Sequence, residues 1–184
     1  MSLMNPRSST HAIKLLETDH REVDAMFEAF EKATTGPDQT EIVSRICKAL
    51  AIHTELEERI FYPESRNVLK SDGQDQVDEA YVEHASLKGL IQRLDGMRAN
   101  EPLFKAYVTV LKEYVQHHVK EEEKDYFPDV EKTSLDLEAI GQRMLVLKEQ
   151  LMTQLRDEGS PRGVVRAKLI ESQPLPQRAM KKAA

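Results

Sequence analysis

The chain has 184 residues, a formal net charge of −6 and a single cysteine. This length suits one domain that buries its own core without disulfide bonds, and the negative charge argues against general binding of nucleic acid. Glycine is sparse, tryptophan is absent and helix-forming residues occur in long runs, which predicts an all-α fold. The first residues lack the apolar core of a signal peptide, and no run of about 18 apolar residues occurs, so we expect a soluble, cytoplasmic protein without membrane contact.

The first part of the sequence predicts two amphipathic helices. Apolar residues spaced three and four apart indicate a first helix over residues 10–33, which ends before the glycine and proline at 36–37. Asp38, followed by Glu41 three residues later, predicts the start of the second helix. Pro63 predicts its end.

Two further helices follow a connection. Residues 71–76 are rich in turn-forming types and predict a loop, after which a third helix runs until it fades over residues 96–100. Asn100 and Pro102 predict the start of a fourth helix, and Pro128 predicts its end. Four long helices with short links predict an up-down four-helix bundle.

The last part of the sequence predicts a fifth helix and a tail. An apolar stripe over residues 137–155 indicates an additional helix that starts at Thr133 or Ser134 and covers an open face of the bundle. Beyond it, glycine, proline, arginine and lysine become frequent, which predicts a flexible basic tail. We therefore expect one domain over residues 10–157 and a tail over residues 158–184.

One pattern, His-x-x-x-Glu-Glu-x-x-x-x-Pro, occurs twice, starting at His53 and at His118. A spacing of four places the imidazole and the first glutamate of each copy on one face of a helix, one turn apart. Each copy is therefore predicted to supply two metal ligands. An acid–histidine pair precedes each copy by nearly the same interval, so the chain reads as a duplicated half-site; the two pairs are Asp19-His20 and Glu83-His84.

Each of the four bundle helices places one histidine on its apolar stripe, and two stripes also carry a glutamate. Burying two carboxylates with four imidazoles is costly unless cations compensate. Imidazole and carboxylate ligands suit iron, manganese and zinc. Two glutamates shared among four histidines predict two bridged metals with open positions for a small ligand. The predicted metal ligands are His20, His53, Glu57, His84, His118 and Glu122.

These residues resemble the hemerythrin-like proteins, whose bacterial form is often described as the HHE cation-binding domain. The resemblance extends from His11 to Pro128 and rests on the six predicted ligands together with the paired glutamates and closing proline of both copies. It implies a four-helix bundle around a non-haem di-iron centre, in which two carboxylates bridge two iron ions that bind O2. Manganese or zinc is the alternative metal.

The third helix departs from the oxygen-carrying animal members of this family. Those proteins place two histidines one turn apart there, whereas Lys88 stands four residues after His84 here. We therefore expect a protein that binds or senses O2 or a related small molecule, such as nitric oxide or peroxide, rather than a reversible oxygen carrier. A redox enzyme of the peroxidase, nitric-oxide reductase or ferroxidase type is one alternative, and an iron- or redox-responsive module that contacts a protein partner is another.

Several polar and aromatic neighbours of the predicted ligands are expected to support them. His117 lies one residue off the inner stripe and is expected to flank the site. Glu58 and Glu123 lie about 100° from the ligand face, so we expect them behind the ligands or at the surface. Tyr62 and Tyr126 are expected to pack in the core or at its rim.

Overall fold

The computed structural model describes residues 10–157, and the predicted tail over residues 158–184 lies outside this range. The described part is helical and contains no strand, which confirms the all-α fold class. Two π-helical segments, Glu57–Phe61 and Glu122–Tyr126, continue two of the long helices without a break. The helices are α1 (Ala12–Lys32), α2 (Gly36–Leu56), α3 (Tyr62–Arg66), α4 (Ser71–Leu94), α5 (Phe104–Glu121), α6 (Phe127–Glu131) and α7 (Leu137–Asp157).

The core lies between the long helices, where their apolar stripes meet. Helix α1 packs against α2, α2 against α4, and α4 against α5. Each helix contributes a fully buried aliphatic side chain, and burying such a side chain stabilises the fold by about 1.5–3 kcal/mol. These side chains are Leu16, Ile46, Ile91 and Leu111. Cys47 is also buried, and burial raises the pKa of its thiol to about 12.

Two predicted helix starts were wrong because residues taken for loops form first turns. Helix α2 begins at Gly36 rather than Asp38, since Thr35 caps it by accepting a hydrogen bond from the Asp38 amide at 3.3 Å. Pro37 then lies in the first turn, where its missing amide proton is not needed. The segment predicted as a loop, residues 71–76, forms the start of α4, and Asp72 there interacts favourably with the helix dipole.

The predicted helix ends at Pro63 and Pro128 were also wrong. In each π-helical segment, the residue before the proline donates its amide proton to the carbonyl of the glutamate five residues earlier, which is Glu57 in the first segment and Glu122 in the second. The proline then falls in the first turn of the following helix, where a missing donor is tolerated. Because each π-helical segment begins at a predicted ligand, the change of helix type coincides with the candidate site.

The last two long helices start later than predicted. Helix α5 begins at Phe104, after Leu103 in a left-handed conformation with φ of 67°. Helix α7 begins at Leu137, and the Asp136 carboxylate accepts a hydrogen bond from the Ala139 amide at 2.9 Å, which caps its first turn.

Helix α7 packs against α1, α2 and the first π-helical segment, which confirms that it covers an open face of the bundle. Gly141 makes the close approach to α1 possible, because a β-carbon at this position would lie 1.7 Å from the Thr10 carbonyl oxygen. Within residues 10–157, no helix is both long and apolar enough to cross a membrane.

Candidate metal centre

Six buried side chains converge in the middle of the bundle, and they are the six predicted ligands. Each of the four long bundle helices contributes one histidine, and each π-helical segment contributes its first residue, a glutamate. All six side chains are buried, with at most 5% of the residue surface exposed. They are His20 of α1, His53 of α2, His84 of α4, His118 of α5, Glu57 and Glu122.

The four imidazoles form two pairs that share a carboxylate. The Nε2 atoms of His20 and His53 lie 3.2 Å apart, and those of His84 and His118 lie 3.1 Å apart. Glu57 stands between the pairs, with its Oε2 atom 3.2 Å from Nε2 of His53 and 3.4 Å from Nε2 of His84. One carboxylate oxygen therefore faces both imidazole pairs.

Glu122 approaches the same pairs from the opposite half of the chain. Its Oε2 atom lies 3.4 Å from Nε2 of His20 and 3.5 Å from Nε2 of His118. Ligands bound at about 2.0–2.2 Å to one metal lie about 3.0–3.5 Å from each other, which is the separation found here. Two groups of ligand atoms could each hold a metal ion: His20, His53, Glu57 and Glu122 form one, and Glu57, His84 and His118 form the other.

The glutamates have buried oxygens without a hydrogen-bond partner. In the part of the chain that the structure describes, this is true of both carboxylate oxygens of Glu57 and of Oε2 of Glu122. Buried polar atoms nearly always have a partner, and leaving one unpaired costs about 1–3 kcal/mol. A cation bound by these oxygens removes that cost, so the residues fit a metal centre.

The two glutamates differ in their charge state when no cation is bound. Burial, reinforced by the nearby Glu122 carboxylate, raises the pKa of Glu57 well above its usual range. Burial also opposes ionisation of Glu122, but His118 and His20 outweigh it and hold the pKa of Glu122 far below its usual range. The metal-free centre therefore pairs a protonated Glu57 with an ionised Glu122.

Each imidazole pair also contains one member that protonates easily and one that does not. Burial, with His118 beside it, lowers the pKa of His84 to about 4, and burial likewise lowers the pKa of His53. Burial disfavours charge on His20 and His118 as well, but the Glu122 carboxylate outweighs it and raises the pKa of both. Each pair thus favours one positive charge, which a metal ion would replace.

The second glutamate of each repeated pattern holds a histidine from behind. Nδ1 of His84 lies 3.0 Å from Oε1 of Glu58, and Nδ1 of His20 lies 2.8 Å from Oε1 of Glu123. A carboxylate at Nδ1 fixes the ring so that Nε2 points at the metal, and it makes that nitrogen a better ligand. The expectation that these glutamates stand behind the ligands is consistent with this geometry.

The acids that precede two of the histidines lie behind the other two imidazoles. Asp19 does not contact its neighbour His20 through this route; its Oδ2 atom lies 3.6 Å from Nδ1 of His53. Glu83 accepts a hydrogen bond from Nδ1 of His118 at 2.6 Å. The sequence interpretation gave these acids no role, although their matched positions before the two patterns were the available signal.

Three of these four carboxylates are themselves paired with permanent cations. Lys88 donates a hydrogen bond to Oε2 of Glu58 at 2.7 Å, so it is directed at the carboxylate behind His84. Arg21 forms a hydrogen bond with Glu123. Lys148 reaches Asp19 from α7, a contact across 129 residues that no local pattern predicted.

Tyr62 packs in the core, as expected, and its hydroxyl also contacts the centre directly. Its side chain is fully buried, and its hydroxyl donates a hydrogen bond to Oε1 of Glu122 at 2.9 Å. The hydroxyl oxygen of Tyr62 also lies 3.3 Å from Nε2 of His84. Burial, together with the nearby carboxylate of Glu122, raises the pKa of Tyr62 well above its usual range, so the phenol keeps its proton.

Comparison with known proteins agrees with this arrangement. The family profile described as "Hemerythrin HHE cation binding domain" matches residues 11–130. The chain belongs to the hemerythrin HHE family. A crystal structure of an HHE cation-binding domain-containing protein from Mycobacterium kansasii superposes with a TM-score of 0.69 at 22% identity, covering 85% of this chain and 98% of that one. The shared fold of the hemerythrin family is therefore established, together with a buried histidine–glutamate cluster compatible with metal binding.

Two curated relatives of this hemerythrin domain are longer proteins. A hemerythrin-like protein of Schizosaccharomyces pombe, described as uncharacterized, is 27% identical over 114 residues, which is 62% of this chain and 56% of that protein. A Nostoc protein described as a DNA nickase is 28% identical over 113 residues, which is 61% of this chain and 31% of that protein. The chain thus spans a little over half of the first relative and about a third of the second.

Proposed function

We propose that this hemerythrin domain binds two iron ions and that the resulting centre binds or senses O2 or a related small molecule, such as nitric oxide or peroxide. The observation that carries this proposal is the shared position of the Glu57 carboxylate, which faces both imidazole pairs with two unpartnered buried oxygens. Imidazole and carboxylate donors together suit redox-active iron. Manganese and zinc use the same ligand types and are the competing metals.

The proposed ligands divide evenly between the two metal positions. His20 and His53 would hold one ion, His84 and His118 would hold the other, and Glu57 with Glu122 would bridge them. When bound, iron supplies reversible redox chemistry and coordination positions that the protein leaves free.

Buried aromatic rings pack beside the ligands and fix the orientation of His20. The ring of Phe127 stacks on that of His20, with their centroids 6.0 Å apart and an interplanar angle of 5°. Phe61 lies against Phe127 at 5.7 Å between ring centroids, and both rings are buried. Buried aromatic rings lower the local dielectric constant, which strengthens the electrostatic interactions of the neighbouring ligands.

The iron content and the visible spectrum test this proposal together. Purified protein loaded with ferrous iron without oxygen should contain two irons per chain, and its absorption bands should change on exposure to air and return after reduction. A protein that takes up no iron, or whose bound iron gives no spectral response to O2, nitric oxide or peroxide, contradicts the proposal.

A redox enzyme acting on peroxide is the second candidate, and Tyr62 favours it. Its phenol proton lies at hydrogen-bond distance from Glu122, so the residue could donate a proton next to a small ligand at the centre. Steady-state assays with peroxide and a reductant distinguish turnover from binding. Turnover that falls at least tenfold in Tyr62→Phe at unchanged iron content supports the enzyme; absence of turnover in the unaltered protein rules it out.

A further inference from the structure

Within residues 10–157, one of the four carboxylates behind the histidines forms no ion pair with a lysine or an arginine, whereas the other three do. Glu58, Glu123 and Asp19 are paired with a lysine or an arginine. Among the residues described, the ion pairs of Glu83 are instead with His118, the predicted ligand, and with His117. The side chain of His117 is exposed. The carboxylate behind His118 is therefore contacted by a histidine, His117, where each of the other three is contacted by a lysine or an arginine.

His117 belongs to a third group of ligand atoms, which lies at the surface of α5. Its Nε2 atom lies 3.5 Å from Oε1 of Glu83 and 3.3 Å from Oε1 of Glu121, one turn along the helix. The three ligand atoms are close enough to hold one metal ion. One imidazole with two carboxylates is a suitable ligand set for a divalent transition metal.

The equivalent positions in the first half of the chain have no such ligands. Aligning His53 with His118 places Ile52 at the position of His117 and Leu56 at the position of Glu121. Both aliphatic side chains are buried. The two halves therefore share the buried ligands, while the surface group is specific to the second half.

A small acidic cavity is lined by two residues of the surface group and by two of the buried centre. It has a volume of about 150 Å³ and lies between α4 and the second π-helical segment with the end of α5. Glu83 and Glu121 of the surface group line it, as do His118 and Glu122 of the buried centre. Glu122, whose buried Oε2 atom has no hydrogen-bond partner, is one of these lining residues. Acidic side chains along its wall, which include Glu79 and Asp125, attract and concentrate cations.

We propose that Glu83, His117 and Glu121 bind a divalent metal ion at the mouth of this cavity and deliver it to His118 and Glu122. Glu83 is shared between the two positions, because one of its oxygens contacts His117 and the other accepts the hydrogen bond from His118. The route rests on the proposed function for its destination, the buried centre. The surface binding site can be tested without it.

Equilibrium dialysis with Co²⁺ tests the surface site in the protein whose centre has been filled beforehand. The double variant His117→Ala/Glu121→Gln removes two ligands and leaves Glu83 in place to hold His118. A matched control, Gln116→Ala/Glu113→Gln, makes the same kinds of change at exposed positions of the same helix. We expect one additional Co²⁺ per chain in the unaltered and control proteins and none in the double variant. Equal additional binding in all three overturns the surface site.

The rate of Co²⁺ uptake by metal-free protein, followed by its visible absorption in a stopped-flow instrument, tests delivery. A charged cleft raises association rates by about 10–1,000-fold. We therefore expect the buried centre of the double variant to fill about tenfold more slowly than that of the control, and to hold the same number of ions at the end. Equal rates in the double variant and the control overturn the delivery route while leaving the buried centre intact. A final content below two ions in the unaltered protein contradicts the proposed centre instead, and the dialysis result still decides the surface site.

Discussion

The two halves of the bundle carry the same buried ligands but surround them differently. In the first half, Asp19 is held by Lys148 of α7, and this helix packs along α1, α2 and the first π-helical segment. In the second half, the corresponding acid, Glu83, is paired with the exposed His117 beside a cavity of about 150 Å³. The two halves thus carry the same candidate ligands, but helix α7 packs against the first half, whereas in the second half a cavity reaches His118 and Glu122.

Binding a metal ion and admitting it from solvent place different requirements on the two halves. The inward-facing imidazole and carboxylate atoms must be buried and rigid to bind metal. Each half meets that requirement with two histidines and a glutamate, and an acid lies behind each ring. Metal must also reach the site from solvent, and one open side is sufficient for that. The four predictions below test whether the halves are equal at the ligands and unequal around them.

The largest effect is expected where the halves are equal, at the bridging glutamates. Glu57→Ala and Glu122→Ala should each lose at least one metal per chain, because each carboxylate faces both imidazole pairs. A bound metal that is present at 1,000 times its dissociation constant adds about 4 kcal/mol to the free energy of unfolding, and each variant should lose that contribution. Metal analysis and thermal unfolding measure both losses, with exposed Glu113→Ala as the control. Two metals retained in either variant would contradict the assignment.

In metal-free protein, replacing these two glutamates with glutamine should change the free energy of unfolding in opposite directions. The folded-state pKa of Glu57 is raised, so its contribution to stability is present below the unfolded pKa and is lost as the pH rises; at pH 7 Glu57→Gln should stabilise the protein by about 1–4 kcal/mol. The folded-state pKa of Glu122 is lowered, so its contribution is present at pH 7 and is lost only as the pH falls through that pKa. Glu122→Gln should destabilise by about 3–5 kcal/mol.

Urea unfolding of the metal-free variants at pH 7 and near pH 4.5 measures this contrast. The advantage of Glu57→Gln should shrink at the lower pH, where the unfolded carboxyl also begins to keep its proton. Changes of the same sign for the two variants at pH 7 would show that the carboxylates are equivalent, against the account given above.

The cover that α7 provides to the first half depends on Gly141. Replacing it with alanine places a β-carbon 1.7 Å from the Thr10 carbonyl oxygen and 2.8 Å from the Ala12 amide nitrogen, so α7 must shift away from α1. We expect this substitution to lower the free energy of unfolding, measured by thermal unfolding, by about 1–3 kcal/mol. Gly89→Ala is the matched control, since its β-carbon meets no atom within 4 Å and should stabilise α4 by about 0.5–1 kcal/mol. Equal effects would mean that α7 does not pack closely there.

The smallest effect concerns the acids behind His84 and His20. Glu58 has 7% of its side chain exposed and Glu123 has 24%, and the partner of Glu58, Lys88, is itself largely buried. Glu58→Gln should weaken metal binding by about 10–100-fold, because it frees His84 and leaves Lys88 without its nearest carboxylate. Glu123→Gln should weaken it less, since water can solvate Arg21. Competition with a chelator of known affinity measures both, and the reverse order would contradict the difference in burial.

The sequence was sufficient for the residues that repeat, and less so for the contacts between distant helices. Equal spacing identified His53 with Glu57 and His118 with Glu122, and the apolar stripes placed His20 and His84 on the same inner surface. Spacing could not show that Asp19 would meet His53 or that Lys148 would meet Asp19, because these contacts depend on how three helices pack. Proline was interpreted as a helix end at two positions because the rule assumes an α-helix, whereas a π-helical turn lets the helix continue.

The most direct test of the central claim is the anomalous diffraction of iron-loaded crystals at the iron absorption edge. Two peaks should lie within the bundle, one bound by Nε2 of His20 and His53 and the other by Nε2 of His84 and His118. The carboxylates of Glu57 and Glu122 should lie between them. A single peak, peaks outside this cluster, or iron that leaves Glu57 unligated would contradict a shared two-metal centre.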